Sequence, residues 1–190
     1  APALGPAVCT RRHACSSAFS REAFLRIASS IEPVLRGRAS LEDRGEMLLG
    51  AAFSGLAIEN SMLGAVHASA NPLTARFGLV HGKAVAIMLP HVMRFNQEEP
   101  ETRDLYDHYG ELLSRRGYAD LPLIDWVESL LGIADLGSLD EAGVNEAAIP
   151  ELAGDATKQW TGQFNPRAMT EERFVLLYKQ ALKSLTPSTT

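Results

Sequence analysis

Apolar positions recur at helical spacing along most of the chain. From Ser20 onward, Ala23, Phe24, Ile27 and Ile31 fall three and four residues apart and draw one apolar stripe. Pro33 marks where that pattern should stop or bend, and Gly37 follows. Ser40 with Asp43 forms a variant capping box, which predicts a helix beginning at Leu41. That helix reads on to about Leu63 and is apolar on several faces, with Gly50, Ser54, Gly55 and Ala57 interleaved. A helix of that kind is expected to be buried, as the central helix of a bundle.

A short helix is expected around His67, a turn near Phe77 and Gly78, and a new helix opening near His81 that Pro90 should kink or end. After a polar loop over 96–100, a helix from about Glu101 to Arg116 turns Leu105, Tyr109, Leu112 and Leu113 inward, and Gly117 stops it. Pro122 suits the first turn of a further helix ending near Gly132. A loop over 135–143, a helix from Pro150 to Trp160, a turn over 161–167 and a last helix after Thr170 complete the pattern. The tail from Ser184 to Thr190 is expected to fray. No alternating strand, internal repeat or glycine-rich phosphate loop interrupts this, so the fold class is all-α, one helical domain over residues 1–190.

Composition narrows the class without naming a function. The 190 residues carry 18 Lys plus Arg against 23 Asp plus Glu, a net charge of −5, which argues against a dedicated nucleic-acid binder. No apolar run is long enough for a membrane span, and no secretory leader stands at the start, so a cytoplasmic location is expected. Cys9 and Cys15 are too few for a zinc site of four cysteines or a disulfide scaffold.

The chemistry-bearing residues are sparse. Of five histidines, His67 and His81 lie fourteen apart, each beside small residues, in V-H-A-S-A and V-H-G-K-A. A helix, a glycine turn and a second helix start could bring both rings to one point, where two imidazoles can ligate a divalent transition metal. Spacing alone fits two core histidines bonded to backbone carbonyls better than a metal pair. His91 and His108 read as structural and solvated, and His13 as a residue that could approach the site.

The segments GLAIENSMLGAVHASANPL, GLVHGKAVAIMLPHVMRFN and the late FNPR resemble the C-terminal helical domain of the iron-containing (group III) alcohol dehydrogenases, within the dehydroquinate synthase-like fold. The resemblance runs from about Ala7 to Leu182. It implies a two-domain enzyme with an α/β domain that binds NAD(P) and a helical domain that holds iron or zinc through one aspartate and three histidines. His67 and His81 match the last two of those ligands. The family's D-x-x-x-H would place the first histidine near Pro2 and the aspartate before Ala1, and 1–6 contains neither residue. Many members carry another histidine where this chain has Asn71, whose amide can bond a substrate but cannot relay a proton. On the resemblance, Asn71 and Phe164 border the substrate cleft, although an aromatic closing a loop onto the core would explain Phe164 as well.

The expected function is therefore the metal-side domain of an NAD(P)-dependent alcohol/aldehyde oxidoreductase, inactive as an isolated chain, with weak Fe²⁺ or Zn²⁺ binding and NAD(P) held only by the full-length enzyme. The expected partners are a separately supplied nucleotide-binding domain or further copies of the chain. The alternative is a non-catalytic helical assembly domain that has lost its metal site.

Overall fold

In a computed structural model, which describes residues 3–183, nine α-helices and two 3₁₀ turns occur and no strand is present among the described residues. The expected frayed tail lies outside the described residues. The helices are α1 (Leu4–Val8), α2 (Ala14–Leu35), α3 (Leu41–Glu59), α4 (Ala65–Phe77), α5 (His81–Asn96), α6 (Pro100–Arg115), α7 (Leu123–Ala134), α8 (Ile149–Thr157) and α9 (Glu171–Lys183). The 3₁₀ turns are Glu146–Ala148 and Trp160–Phe164. No helix among them is long and apolar enough to cross a membrane.

Two helix pairs organise the core: α4 against α5, and α8 against α9, with α4 also packed on α8. The buried faces of α5 supply Val85, Met88, Leu89, Val92 and Met93, and α9 supplies Phe174, Leu177 and Tyr178. Phe24 of α2 joins this core to the other helices. Its ring meets Tyr109 of α6 edge-on at 4.6 Å and Trp126 of α7 at 5.8 Å. Such edge contacts add roughly 0.5–1.5 kcal/mol each to the burial itself.

The capping box at Ser40 forms as read. Ser40 Oγ accepts from the Asp43 N–H at 3.0 Å, and Asp43 Oδ2 accepts from the Ser40 N–H at 2.8 Å. The helix it opens is not central, however. Only Gly50, Ser54 and Ala57 of α3 are buried, and they press on α2, the main neighbour of α3. A Cβ on Gly50 would come within 2.6 Å of Ile27 Cγ1, so the close approach of the two axes requires glycine there. The opposite face stays open, with Leu48 73% exposed. Mean apolarity foretold burial; the arrangement of the smallest residues on one side decided which side was buried.

Three prolines lie inside helices. Pro90 does not end α5, which runs on to Asn96, and Pro33 and Pro72 likewise lie inside α2 and α4. Each removes one backbone donor at a cost of order 3 kcal/mol, which the heavily buried surface of α5 outweighs. The α1 helix was not anticipated; Leu4, Pro6, Ala7 and Val8 bury it on the core. The predicted Pro150–Trp160 helix stops at Thr157, and a 3₁₀ turn takes up Trp160–Phe164.

Candidate metal centre

His67 lies on the first turn of α4 and His81 is the first residue of α5. Between the two helices the chain reverses in three residues, Gly78 to Val80. Gly78 adopts a left-handed φ of +67°, which a residue with a Cβ rarely takes, and its N–H bonds back to Thr74 O at 3.1 Å. This reversal brings the two imidazoles together with ring centroids 5.5 Å apart and planes inclined at 45°. A nitrogen–metal distance of about 2 Å and a tetrahedral angle would put the centroids of two ligating rings about 5 Å apart. The observed pair has that spacing.

The environments of the rings differ. His67 is buried and His81 exposed. Burial, reinforced by the neighbouring His81, lowers the His67 pKa to about 4, so its ring is neutral near pH 7. A neutral imidazole is the form that ligates a metal. His67 Nδ1 is buried and has no hydrogen-bond partner, so the reading of this residue as a core histidine bonded to a carbonyl does not hold at that nitrogen. Among the described residues no third histidine, cysteine, aspartate or glutamate joins the pair. His13 instead opens α2, exchanging bonds with Ser16. His91 is buried elsewhere on α5, and His108 lies edge-on to Tyr109 on the exposed side of α6.

Hydrogen bonds at four positions hold α4, the helix that carries His67. At its start, the N–H of Ala65 has no partner in its own helix and donates to Asn165 Oδ1 at 3.2 Å. Asn165 and Asn96 exchange amide bonds at 3.1 and 2.7 Å, and Asn165 Nδ2 also donates to the Arg167 carbonyl. At mid-helix, Tyr178 donates to the Ser69 carbonyl at 2.6 Å, and Asn71 Nδ2 donates to Gln159 Oε1 at 2.9 Å. At its end, Arg76 donates to Asp155 at 2.7 Å and Glu151 at 2.6 Å.

Asn165 and Gln159 were not singled out from the sequence. Asn165 lies within F-N-P-R, directly after Phe164. A polar residue between an aromatic and a proline was a signal for a turn whose side chain bonds backbone.

Asn71 lies one helical turn beyond His67, on the same face of α4, and half-buried. Phe164 stacks edge-on against Trp160 at 5.8 Å, with the Arg11 guanidinium 5.7 Å from its centroid. An open cleft of about 420 Å³ runs along Gln159, Trp160, Gln163, Met169 and Phe174. Neither histidine nor Phe164 lines it; Gln159 connects it to Asn71.

The family profile described as "Fe-containing alcohol dehydrogenase family, C-terminal" matches residues 8–182. The chain is 29% identical over 176 residues to the 1,3-propanediol dehydrogenase of Klebsiella pneumoniae, covering 87% of this chain and 44% of that protein. It is 36% identical over 159 residues to the lactaldehyde reductase of Escherichia coli K12, covering 80% of this chain and 41% of that one. The solved alcohol dehydrogenase from Oenococcus oeni superposes with a TM-score of 0.82 at 27% identity, over 95% of this chain and 48% of that one. The chain thus spans less than half the length of the relatives it matches.

Proposed function

The chain belongs to the Fe-containing alcohol dehydrogenase family, as its C-terminal helical domain, and on that premise we propose that His67 and His81 supply two ligands to a divalent metal, iron or zinc, in an alcohol/aldehyde oxidoreductase. The observation that carries this reading is the 5.5 Å pair of rings, one of them held neutral by burial. When bound, such a metal supplies Lewis acidity at an alcohol oxygen. NAD(P) would be held by a nucleotide-binding domain outside residues 1–190.

The chain's own residues prepare the site. Burial keeps the His67 lone pair free of a proton, and the bonds from Asn165, Tyr178 and Gln159 fix the helix that aims the ring. Held by Gln159, Asn71 offers its remaining amide hydrogen and carbonyl lone pairs to a substrate hydroxyl without exchanging a proton with it. The Trp160–Phe164 stack covers the neighbouring turn with apolar surface. Two imidazoles bind a metal weakly without further ligands and an anionic partner.

Titration of the chain with Zn²⁺, followed through the histidine ring resonances by NMR, tests the assignment. Both rings should shift together, and His67→Ala or His81→Ala should each abolish the response of the other ring. Zinc binding that survives both substitutions would refute it.

A further inference from the structure

His67 and Asn71 stand one turn apart on α4, a spacing that sets their Cβ atoms about 5–6 Å from each other. The residue that holds Asn71 is also an amide: Asn71 Nδ2 donates to Gln159 Oε1 at 2.9 Å. Asn71 Oδ1 and Gln159 Nε2 take no bond within the described residues. Two uncharged amides thus share one hydrogen bond across 88 positions of chain, each with an unused group at its other end.

The backbones on both sides are fixed. Asn71 lies in the interior of α4. Gln159 leads into the Trp160–Phe164 turn, where its N–H donates to the Ala156 carbonyl at 3.1 Å and its carbonyl accepts from the Gly162 N–H at 3.0 Å. Gly162 seats that turn on α4, since a Cβ there would meet the Ala68 Cβ at 3.4 Å. The remaining freedom belongs to the terminal amides. The two ends of an amide are nearly alike in shape, but one accepts and the other donates. When both amides rotate by half a turn, the bond is remade in the reverse sense, with Gln159 Nε2 donating to Asn71 Oδ1. Gln159 lines the cleft of about 420 Å³, so neither arrangement drives its second amide atom into packed side chains.

The two arrangements present different chemistry beside His67. In the first, Asn71 offers Oδ1, which accepts from an alcohol O–H. In the second it offers Nδ2–H, which donates to a carbonyl oxygen. An oxidoreductase that works in both directions meets each of these groups in turn. A histidine at position 71 would change from acceptor to donor only by gaining or moving a proton. The amide pair makes the change by rotation alone, whatever the pH.

We propose that Asn71 and Gln159 form a two-way amide switch, in which Gln159 is the positioning residue that lets Asn71 accept from an alcohol and donate to the corresponding aldehyde or ketone. The proposal rests on the reading of the His67 site as that of an alcohol/aldehyde oxidoreductase.

Carboxylates test the rotation, because a carboxylate only accepts. In Asn71→Asp the bond survives only if Gln159 turns Nε2 toward position 71; in Gln159→Glu it survives only if Asn71 turns Nδ2 toward position 159. The reference for each is the same carboxyl opposite alanine, in Asn71→Asp/Gln159→Ala and Asn71→Ala/Gln159→Glu. Titrated by ¹³C NMR in the metal-free chain, each new carboxyl should bind its proton about three- to tenfold more weakly than its reference. A pair locked in one orientation would lower one carboxyl pKa and raise the other, because the locked partner would meet it with a carbonyl oxygen, and that result overturns the switch. Circular dichroism identical to the parent shows that each variant is folded. In the Zn²⁺-saturated chain, acetone should move the Gln159 side-chain NH₂ signal downfield, as Nε2 begins to donate to Asn71, and propan-2-ol should leave it in place. Equal responses to the two probes, or none, would overturn the substrate role. Zinc bound by both histidines alongside one raised carboxyl overturns the switch and not the metal site. Both carboxyls lowered with no zinc bound overturns the metal site, and the substrate role with it.

Discussion

Asn96 at the end of α5 and Asn165 in the turn before α9 bond each other in both directions, and Asn165 also accepts from the first N–H of α4. A single buried side chain thereby ties together the helix carrying His67, the helix carrying His81 and the loop that follows Phe164. Gly64 allows this approach: a Cβ there would stand 3.1 Å from Asn165 Oδ1.

Asn165→Ala should be among the most damaging single substitutions in the chain. It strands the Asn96 amide and the Ala65 N–H in the interior, at a cost of about 2–4 kcal/mol. Urea unfolding of the two proteins measures the difference, and a loss below about 1 kcal/mol would show that water replaces the missing amide.

The His67 environment fixes a pH dependence. In the metal-free chain its folded pKa is about 4, against an ordinary value of 6.5. Between those values the unfolded state binds the extra proton, so stability is complete above about pH 6.5 and falls as pH drops toward 4. The loss amounts to at most about 3 kcal/mol for this group. Burial also lowers the pKa of His91, which adds a loss of the same sign. His67→Gln should flatten the slope of unfolding free energy against pH in that window; an unchanged slope would assign it elsewhere.

Gly50→Ala and Gly55→Ala should have opposite effects although both glycines belong to α3. At position 50 the new methyl collides with Ile27, and the monomer should lose about 1–3 kcal/mol. At position 55 it meets nothing, and the better helix former should stabilise the monomer by up to about 1 kcal/mol. Thermal unfolding at low protein concentration reads both; equal effects would mean that the α2–α3 contact yields readily.

Tyr178→Phe removes the hydroxyl that donates to the Ser69 carbonyl. Burial lifts the phenol pKa well above its ordinary value, so the hydroxyl stays protonated and donating across the neutral range. The substitution should cost about 1 kcal/mol and speed amide exchange in the middle of α4. Unchanged protection there would remove this bond from the supports of the helix.

The helices could be read from the chain because their signals are local. The Ser40–Asp43 box, the Phe77–Gly78 reversal and the stripe of Phe174, Leu177 and Tyr178 each involve residues within a few turns of one another, and each formed as expected. The pairing of His67 with His81 was legible for the same reason, since fourteen residues and one tight reversal separate them. What could not be read depends on distant chain. Asn165 meets Ala65 across 100 positions, and Gln159 meets Asn71 across 88. The burial of α3 was misjudged because its composition does not say how many neighbours it has. Of the two outcomes expected at Pro90, an end to the helix does not occur, because helix propensity weighs one missing hydrogen bond and not the packing of a whole turn.

The connector from Gly78 to Val80 works as a ruler. Each ring is mounted in one of the helices that it joins, so a longer connector would let the start of α5 move away from α4 and carry one imidazole out of reach of the other. Homologous chains that keep both histidines should therefore vary freely in the loop before α8 while holding this short reversal at constant length.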